Sequence, residues 1–252
     1  VAEESLIAVF VDFENLALGV RDMGGDFEIT LVLKRLLEKG RVVYKRAYCD
    51  WSNYRGAVRE FHSQAIELID IPQSKTSGKN SADIHMVVDA IDLCYSKQHI
   101  DTFALLSGDS DFSPLASKLK ENDKRVIGCG VKNSTSDLLV ENCDEFIYYD
   151  DLVRAKKARP SRTRGKKKEG DKRQEAIDKT VEIVRSLERD YDPVWGSLVK
   201  QTLRRVHPGF NESYYGYRSF ADLMKAAEER GYFSLEYDAD RGNYKVRMQE
   251  GA

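Results

Sequence analysis

Three stretches of this sequence set carboxylates at the ends of apolar runs, where oxygen ligands can converge. Asp12 closes an apolar run in VDFEN, Asp109 and Asp111 follow another in LLSGDSDF, and Asp83 stands near the start of NSADIHMVVDAI. Carboxylates gathered at one edge raise each other's pKa unless a cation compensates them. With oxygen donors and neither His nor Cys in the set, the suitable ions are Mg2+ and Mn2+. Such an ion activates water and neutralises charge on a phosphodiester under attack, which is the chemistry of a nuclease.

Each acid also has an ordinary structural use. Asp109 and Asp111 suit the N-cap of a helix over 112–122, and Asp83 suits the positive end of a helix dipole. Asp12 has less to do at the end of a buried strand, and the shared edge favours chemistry. Asp89, six residues after Asp83, is turned about 120° around the helix by its ~100° step. It joins His85 and Asp92 on a polar face and ranks at most as support behind the acids.

Other chemistries find no complete set of residues. QSKTSGKNS has Gln73 and Asn80 where a phosphate-binding loop needs Gly and Ser or Thr. GDSD, around Ser110, has no His between His99 and His207 to serve as a base. The four histidines form no ligand-like pair, and Cys49, Cys94, Cys129 and Cys143 form no CxxC pair. They read as reduced core thiols, which points to the cytoplasm. Trp51, at a strand end, either stacks on a base or packs in the core.

The elements that must position these residues follow from hydropathy. Strands are expected at 5–12, 42–49, 66–71, 102–107, 125–130 and 145–149, with helices near 30–39, 52–65, 81–97, 112–122 and 135–142. Continuous Val/Ile/Leu runs separated by helices imply strands covered on both faces, hence an α/β fold with a parallel sheet. In such sheets ligands gather at the C-terminal strand ends. After residue 173 the pattern changes to helices at 174–189, 195–206 and 218–230, then strands at 232–238 and 243–248. That is the order of a winged helix-turn-helix.

A net charge of −2 hides an asymmetry. Residues 1–153 carry 17 Lys and Arg against 26 Asp and Glu, whereas residues 154–173 carry 11 against 2. The expected organisation is therefore a catalytic domain over 1–153, a basic flexible linker over 154–173 and a small domain over 174–252. The linker, with Lys166, Lys167 and Lys168, is suited to gripping phosphates without sequence preference. No apolar run approaches the ~18 residues of a membrane span, and no signal peptide is read at the start.

VDFENL at 11–16, Lys79-x-x-x-Asp83 followed by Asp89, and SGDSDF at 107–112 resemble the NYN domain, a branch of the PIN-like nucleases that includes LabA-like proteins. The resemblance spans roughly residues 5–150. It implies a Rossmann-like, three-layer α/β/α sandwich and a metal-dependent ribonuclease, most simply endonucleolytic. By motif, Asp12, Asp83 and Asp109 would bind Mg2+ or Mn2+, with Asp111 completing the acidic cluster. Asn15 would orient water or phosphate, and Ser107 would fix the loop holding Asp109. Lys79, a phosphate ligand in this scheme, departs from the tighter Lys-Gly-x-Asp spacing.

The tail, with GYRSFADLM and then Gly231-Tyr232-Phe233, resembles the OST-HTH or LOTUS domain, which implies RNA binding or docking of a protein partner. Trp195, Leu198, Leu203, Tyr217, Phe220, Leu223 and Met224 are its expected core. Arg218 and Arg241, with Arg204, Arg205, Lys225 and Lys245, remain for a ligand. The alternative to an enzyme is a non-catalytic RNA-binding or protein-docking adaptor that keeps a vestigial acidic pocket.

Overall fold

The computed structural model describes residues 4–72, 81–157 and 169–249. The chain divides into two compact units, one of residues 1–36 and 40–160 and the other of residues 37–39 and 161–252. The first is built on six parallel strands, β1 (Leu6–Asp12), β2 (Arg41–Cys49), β3 (Glu67–Asp70), β4 (Thr102–Leu106), β5 (Arg125–Gly130) and β6 (Glu145–Tyr148). Their order is β3-β2-β1-β4-β5-β6, so the chain winds outward in both directions from the β1/β4 pair.

Among the described residues seven helices flank this sheet: α1 (Phe13–Asp22), α2 (Ile29–Lys39), α3 (Arg55–Ser63), α4 (Ser81–Ser96), α5 (Ser113–Glu121), α6 (Asp137–Asn142) and α7 (Tyr149–Lys157). Side chains alternate across the central strand. Ile7, Val9 and Val11 pack with α1, α2 and α3, while Ala8 and Phe10 pack with α4 and α5. Burying each large aliphatic side chain this way contributes roughly 1.5–3 kcal/mol. In α2, Ile29, Val32, Leu33 and Leu36 are buried at helical spacing, which lays one stripe of the helix on the sheet. The result is the expected α/β/α sandwich with a parallel sheet.

Sequence patterning misses two helices. Phe13 follows β1 with no intervening turn, and the buried residues Phe13, Leu16 and Val20 of α1 carry a helical spacing that the expected strand at 5–12 left unassigned. Likewise Tyr149 opens α7 directly after β6, and its last turn carries Arg154, Lys156 and Lys157 of the expected linker. At the linker's other end, α8 (Glu169–Leu187) begins before residue 173. Lys166, Lys167 and Lys168 lie outside the described residues.

The second unit contains α8, β7 (Val194–Trp195), α9 (Gly196–Val206), α10 (Phe220–Glu229), β8 (Phe233–Asp238) and β9 (Asn243–Met248). The strands form an antiparallel sheet in the order β7-β9-β8, and three helices with this small sheet make a winged helix. Leu203, Tyr217, Leu223 and Met224 are buried, with Leu198 and Phe220 packed at the margin. Trp195 is not a core residue. It is half-exposed, with the Arg241 guanidinium 4.9 Å and the Lys245 ammonium 5.9 Å from its ring centre. All four cysteines are free thiols, and burial pushes that of Cys129 up to about 12.

Candidate active site

β1 and β4 are neighbours in space but lie on opposite sides of the point where strand order reverses. Connections leave these strands in opposite directions, which opens a crevice at their C-terminal ends. Asp12 is the last residue of β1, and Ser107, Gly108 and Asp109 follow β4 directly. By strand alternation Asp12 shares the Ala8 and Phe10 face, covered by α4, whose first turn carries Asp83. Topology therefore brings residues 12, 83 and 109 to one crevice.

Short hydrogen bonds fix the floor of this crevice. Ser107 Oγ donates to Asp12 Oδ2 at 2.7 Å and accepts from the Asp109 amide at 3.1 Å. The Gly108 amide donates to Asn15 Oδ1 at 2.9 Å, and the Ser136 amide donates to the Gly108 carbonyl at 2.9 Å. Glycine is required here by contact. A Cβ at Gly108 would lie 2.5 Å from the Ser134 carbonyl oxygen and 2.9 Å from Thr135 Cα, both backbone atoms. The 131–136 segment is thus a rear wall for the Gly108 loop, which no motif in the sequence signalled.

The structure also gives Asp12 a use that its position in the sequence concealed. Its Oδ1 accepts from the Asn15 amide at 3.3 Å and caps α1, and Asp109 Oδ1 accepts from the Asp111 amide at 2.9 Å. Capping alone does not explain the burial. Asp12 is only 7% exposed, and desolvation, reinforced by the charges of Asp83 and Asp109, pushes its pKa up to about 7 against the Ser107 hydrogen bond. Asp83 is pushed up to about 6, by desolvation first and then by Asp109, Asp111 and Glu14. Glu14, in the first turn of α1, is the acid that motif reading overlooked.

These carboxylates face one another without a compensating cation among the causes of either shift. The donors, all oxygen, fit Mg2+ or Mn2+. No three His, Cys, Asp or Glu side chains among the described residues converge closely enough to cage an ion as they stand. The fit is one of donor type and charge, not of finished coordination geometry.

The other residues singled out in the sequence are spread around this centre. Asp111 is exposed at the rim. Asp89 faces β2 instead, accepting from Tyr48 Oη at 2.7 Å and Arg46 Nη1 at 2.8 Å, with Arg46 Nε also on Glu67 at 2.6 Å. It braces α4 against the sheet. Trp51 is not available to a base. It is 6% exposed, packs on Phe13 and Phe61, and donates from Nε1 to the Ile69 carbonyl at 3.1 Å. Arg218 and Arg241 are exposed in the second unit, and Lys79 lies outside the described residues.

Comparison with known proteins agrees with this architecture. The family model of the NYN domain matches residues 6–150. The chain is 30% identical over 146 residues to the uncharacterized protein MJ0482 of Methanocaldococcus jannaschii, a match covering 57% of this chain and 55% of that one. It therefore spans about half the length of that relative. A crystal structure of a protein of unknown function, VPA0982 from Vibrio parahaemolyticus, shares 25% identity at a TM-score of 0.53, covering 60% of this chain and 97% of the other. No helix among the described residues is long and apolar enough to cross a membrane. The match over more than half of its length shows that this chain belongs to the NYN domain family, within the PIN-like nucleases.

Proposed function

We propose that the crevice at the ends of β1 and β4 is the catalytic centre of a metal-dependent ribonuclease, acting endonucleolytically. The observation that carries this reading is Asp12, a buried carboxylate held near pKa 7 beside two further acids at the strand-order reversal. A fold gains no stability from that arrangement unless a cation joins it. Asp12, Asp83 and Asp109 would hold Mg2+ or Mn2+, with Asp111 at the rim. A bound ion would supply an activated water and neutralise charge on the phosphate.

The chain's own residues do the positioning. Ser107 sets the distance between Asp12 and the Asp109 backbone by bonding both. Asn15 spends its Oδ1 on Gly108, and its Nδ2 makes no hydrogen bond among the described residues, leaving a donor for phosphate or water. Lys79, four residues before Asp83, would steady the phosphate.

RNA would be held by the linker, through Lys166, Lys167 and Lys168, and by Arg218 and Arg241 of the second unit, which resembles a LOTUS domain. The acidic first 153 residues repel RNA at long range, so a tethered basic segment raises its local concentration.

The alternative reading is an adaptor, in which RNA or a protein is bound without turnover. Turnover decides between the two. Incubating structured and single-stranded RNA with Mn2+ should give cleavage by the wild type and none by Asp12→Asn. Equal cleavage by both would place the activity elsewhere, and none by either would leave the adaptor.

A further inference from the structure

Helix α4 has an apolar side that no described residue of its own unit covers. Met86, Ala90, Leu93 and Cys94 are buried toward the sheet. On the other side Ile84, Val88 and Tyr95 are 61%, 59% and 56% exposed, with half-buried Ile91 between the last two. The steps from 84 to 88, 91 and 95 are the alternating four and three of a helix-pairing seam. Exposed single apolar residues are ordinary, whereas an apolar stripe along three turns of one helix marks an interaction surface.

The residues bordering the stripe identify the occupant. His85 and Asp92, both exposed, flank it on the same side. Turning a second copy antiparallel about a two-fold axis midway between Val88 and Ile91 sets Ile84 against the partner's Tyr95 and Val88 against the partner's Ile91. The same operation brings His85 beside the partner's Asp92, and symmetry makes that contact twice. Apolar residues meet apolar ones, unlike polar groups meet at the rim, and opposed helix dipoles attract. An unrelated helix would need only the seam, with no reason for self-complementary borders. A parallel pair would bring Asp92 toward the apolar Val87.

The geometry points to an antiparallel α4–α4 interface between two copies of this chain, seamed by Ile84, Val88, Ile91 and Tyr95. Such an isologous contact closes on itself and makes a dimer, not a filament. One helix face buries roughly a few hundred Å2 per copy, short of the ~800 Å2 of a standard interface. The dimer is accordingly weak and concentration-dependent. Its existence does not depend on the chemistry at the acids.

Sedimentation velocity on the full chain over a hundredfold concentration range tests this. The 28.8 kDa monomer should give way to a species of twice that mass as concentration rises. Val88→Arg should remain monomeric throughout with an unchanged melting temperature, because Val88 is already mostly exposed. His85→Asp should weaken association about tenfold by setting like charges opposite each other twice, and adding Asp92→Lys should restore it. A wild type monomeric at every concentration overturns the interface, as does a dimer that survives Val88→Arg. Failure of the double variant to restore association overturns the antiparallel register. A monomeric wild type whose melting temperature falls on Val88→Arg would overturn it too, by showing the stripe covered by its own chain.

Discussion

Replacing Asp12 with Asn separates the cost of its burial from its use. Its folded pKa of about 7 stands above the ordinary 3.8, so the folded chain holds a proton that the unfolded chain has lost. Stability from this group is complete below about pH 4, declines as pH rises toward 7 and is absent above it. At about 1.4 kcal/mol per pH unit, the buried anion costs on the order of 4 kcal/mol at pH 8. Asn has the same shape without the charge. Its Nδ2 can donate to Ser107 Oγ while Oδ1 still accepts from the Asn15 amide, at a loss of about 1 kcal/mol in hydrogen bonding.

Without metal at pH 8, Asp12→Asn should therefore gain about 2–3 kcal/mol, raising the melting temperature of the first unit by about 5–10 °C. At pH 4, where Asp12 is protonated, the gain should vanish or turn into a slight loss. Mn2+ at a hundred times its dissociation constant should stabilise the wild type by about 2.7 kcal/mol and leave the variant unmoved. The order of stability then narrows or reverses. Thermal melts in chelator and in Mn2+ at both pH values read all of this. A variant that is destabilised equally at pH 4 and pH 8 in chelator would refute the claim that Asp12 is an uncompensated anion.

Gly108→Ala should cost about 1–3 kcal/mol by driving a methyl group into the Ser134 and Thr135 backbone, and cleavage should fall with it as Asp109 is displaced. Melts and cleavage rates on the same preparation check both. Mn2+ affinity measured by calorimetry should drop about tenfold from pH 8 to pH 6, because the ion must displace the Asp12 proton. Trp51→Ala should lose about 3–5 kcal/mol of stability yet bind RNA unchanged where it remains folded, since its ring belongs to the Phe13 and Phe61 cluster. Exchanging the Lys and Arg of 154–173 for Ser should flatten the salt dependence of RNA binding and spare metal affinity; an identical slope would reduce the segment to a spacer.

What could be read without coordinates depended on whether burial alone decided a residue's fate. The central strands were legible because both faces are covered, so Leu6–Asp12 or Thr102–Leu106 reads as one apolar run, whereas the edge strand Glu67–Asp70 is at most half-buried and was legible only from its short apolar run. Asp12 and Asp109 were legible as an edge because each sits where a strand run ends, and Asp83 because it opens a helix whose start can point back at that edge. Helix α1 was passed over although Phe13, Leu16 and Val20 carry helical spacing, because it starts directly on the strand and its cap is Asp12, the residue read for chemistry. Trp51 was undecidable, because a Trp at a strand end has the same pattern inside or outside. The 131–136 wall was invisible for a different reason: it touches Gly108 through backbone atoms, which no side-chain spacing reports. The apolar stripe of α4 was absorbed into the helix's general hydropathy until burial divided its two sides.

Pairing β1 with β4 joins residues separated by 95 positions, as the Ser107–Asp12 hydrogen bond records. During synthesis on the ribosome, Asp12 emerges long before Asp109 and has no companion across the crevice until the fourth strand has docked. A nascent or truncated chain ending before that strand carries the first acid but no assembled centre. The crevice at the ends of β1 and β4 therefore exists only once most of the sheet does.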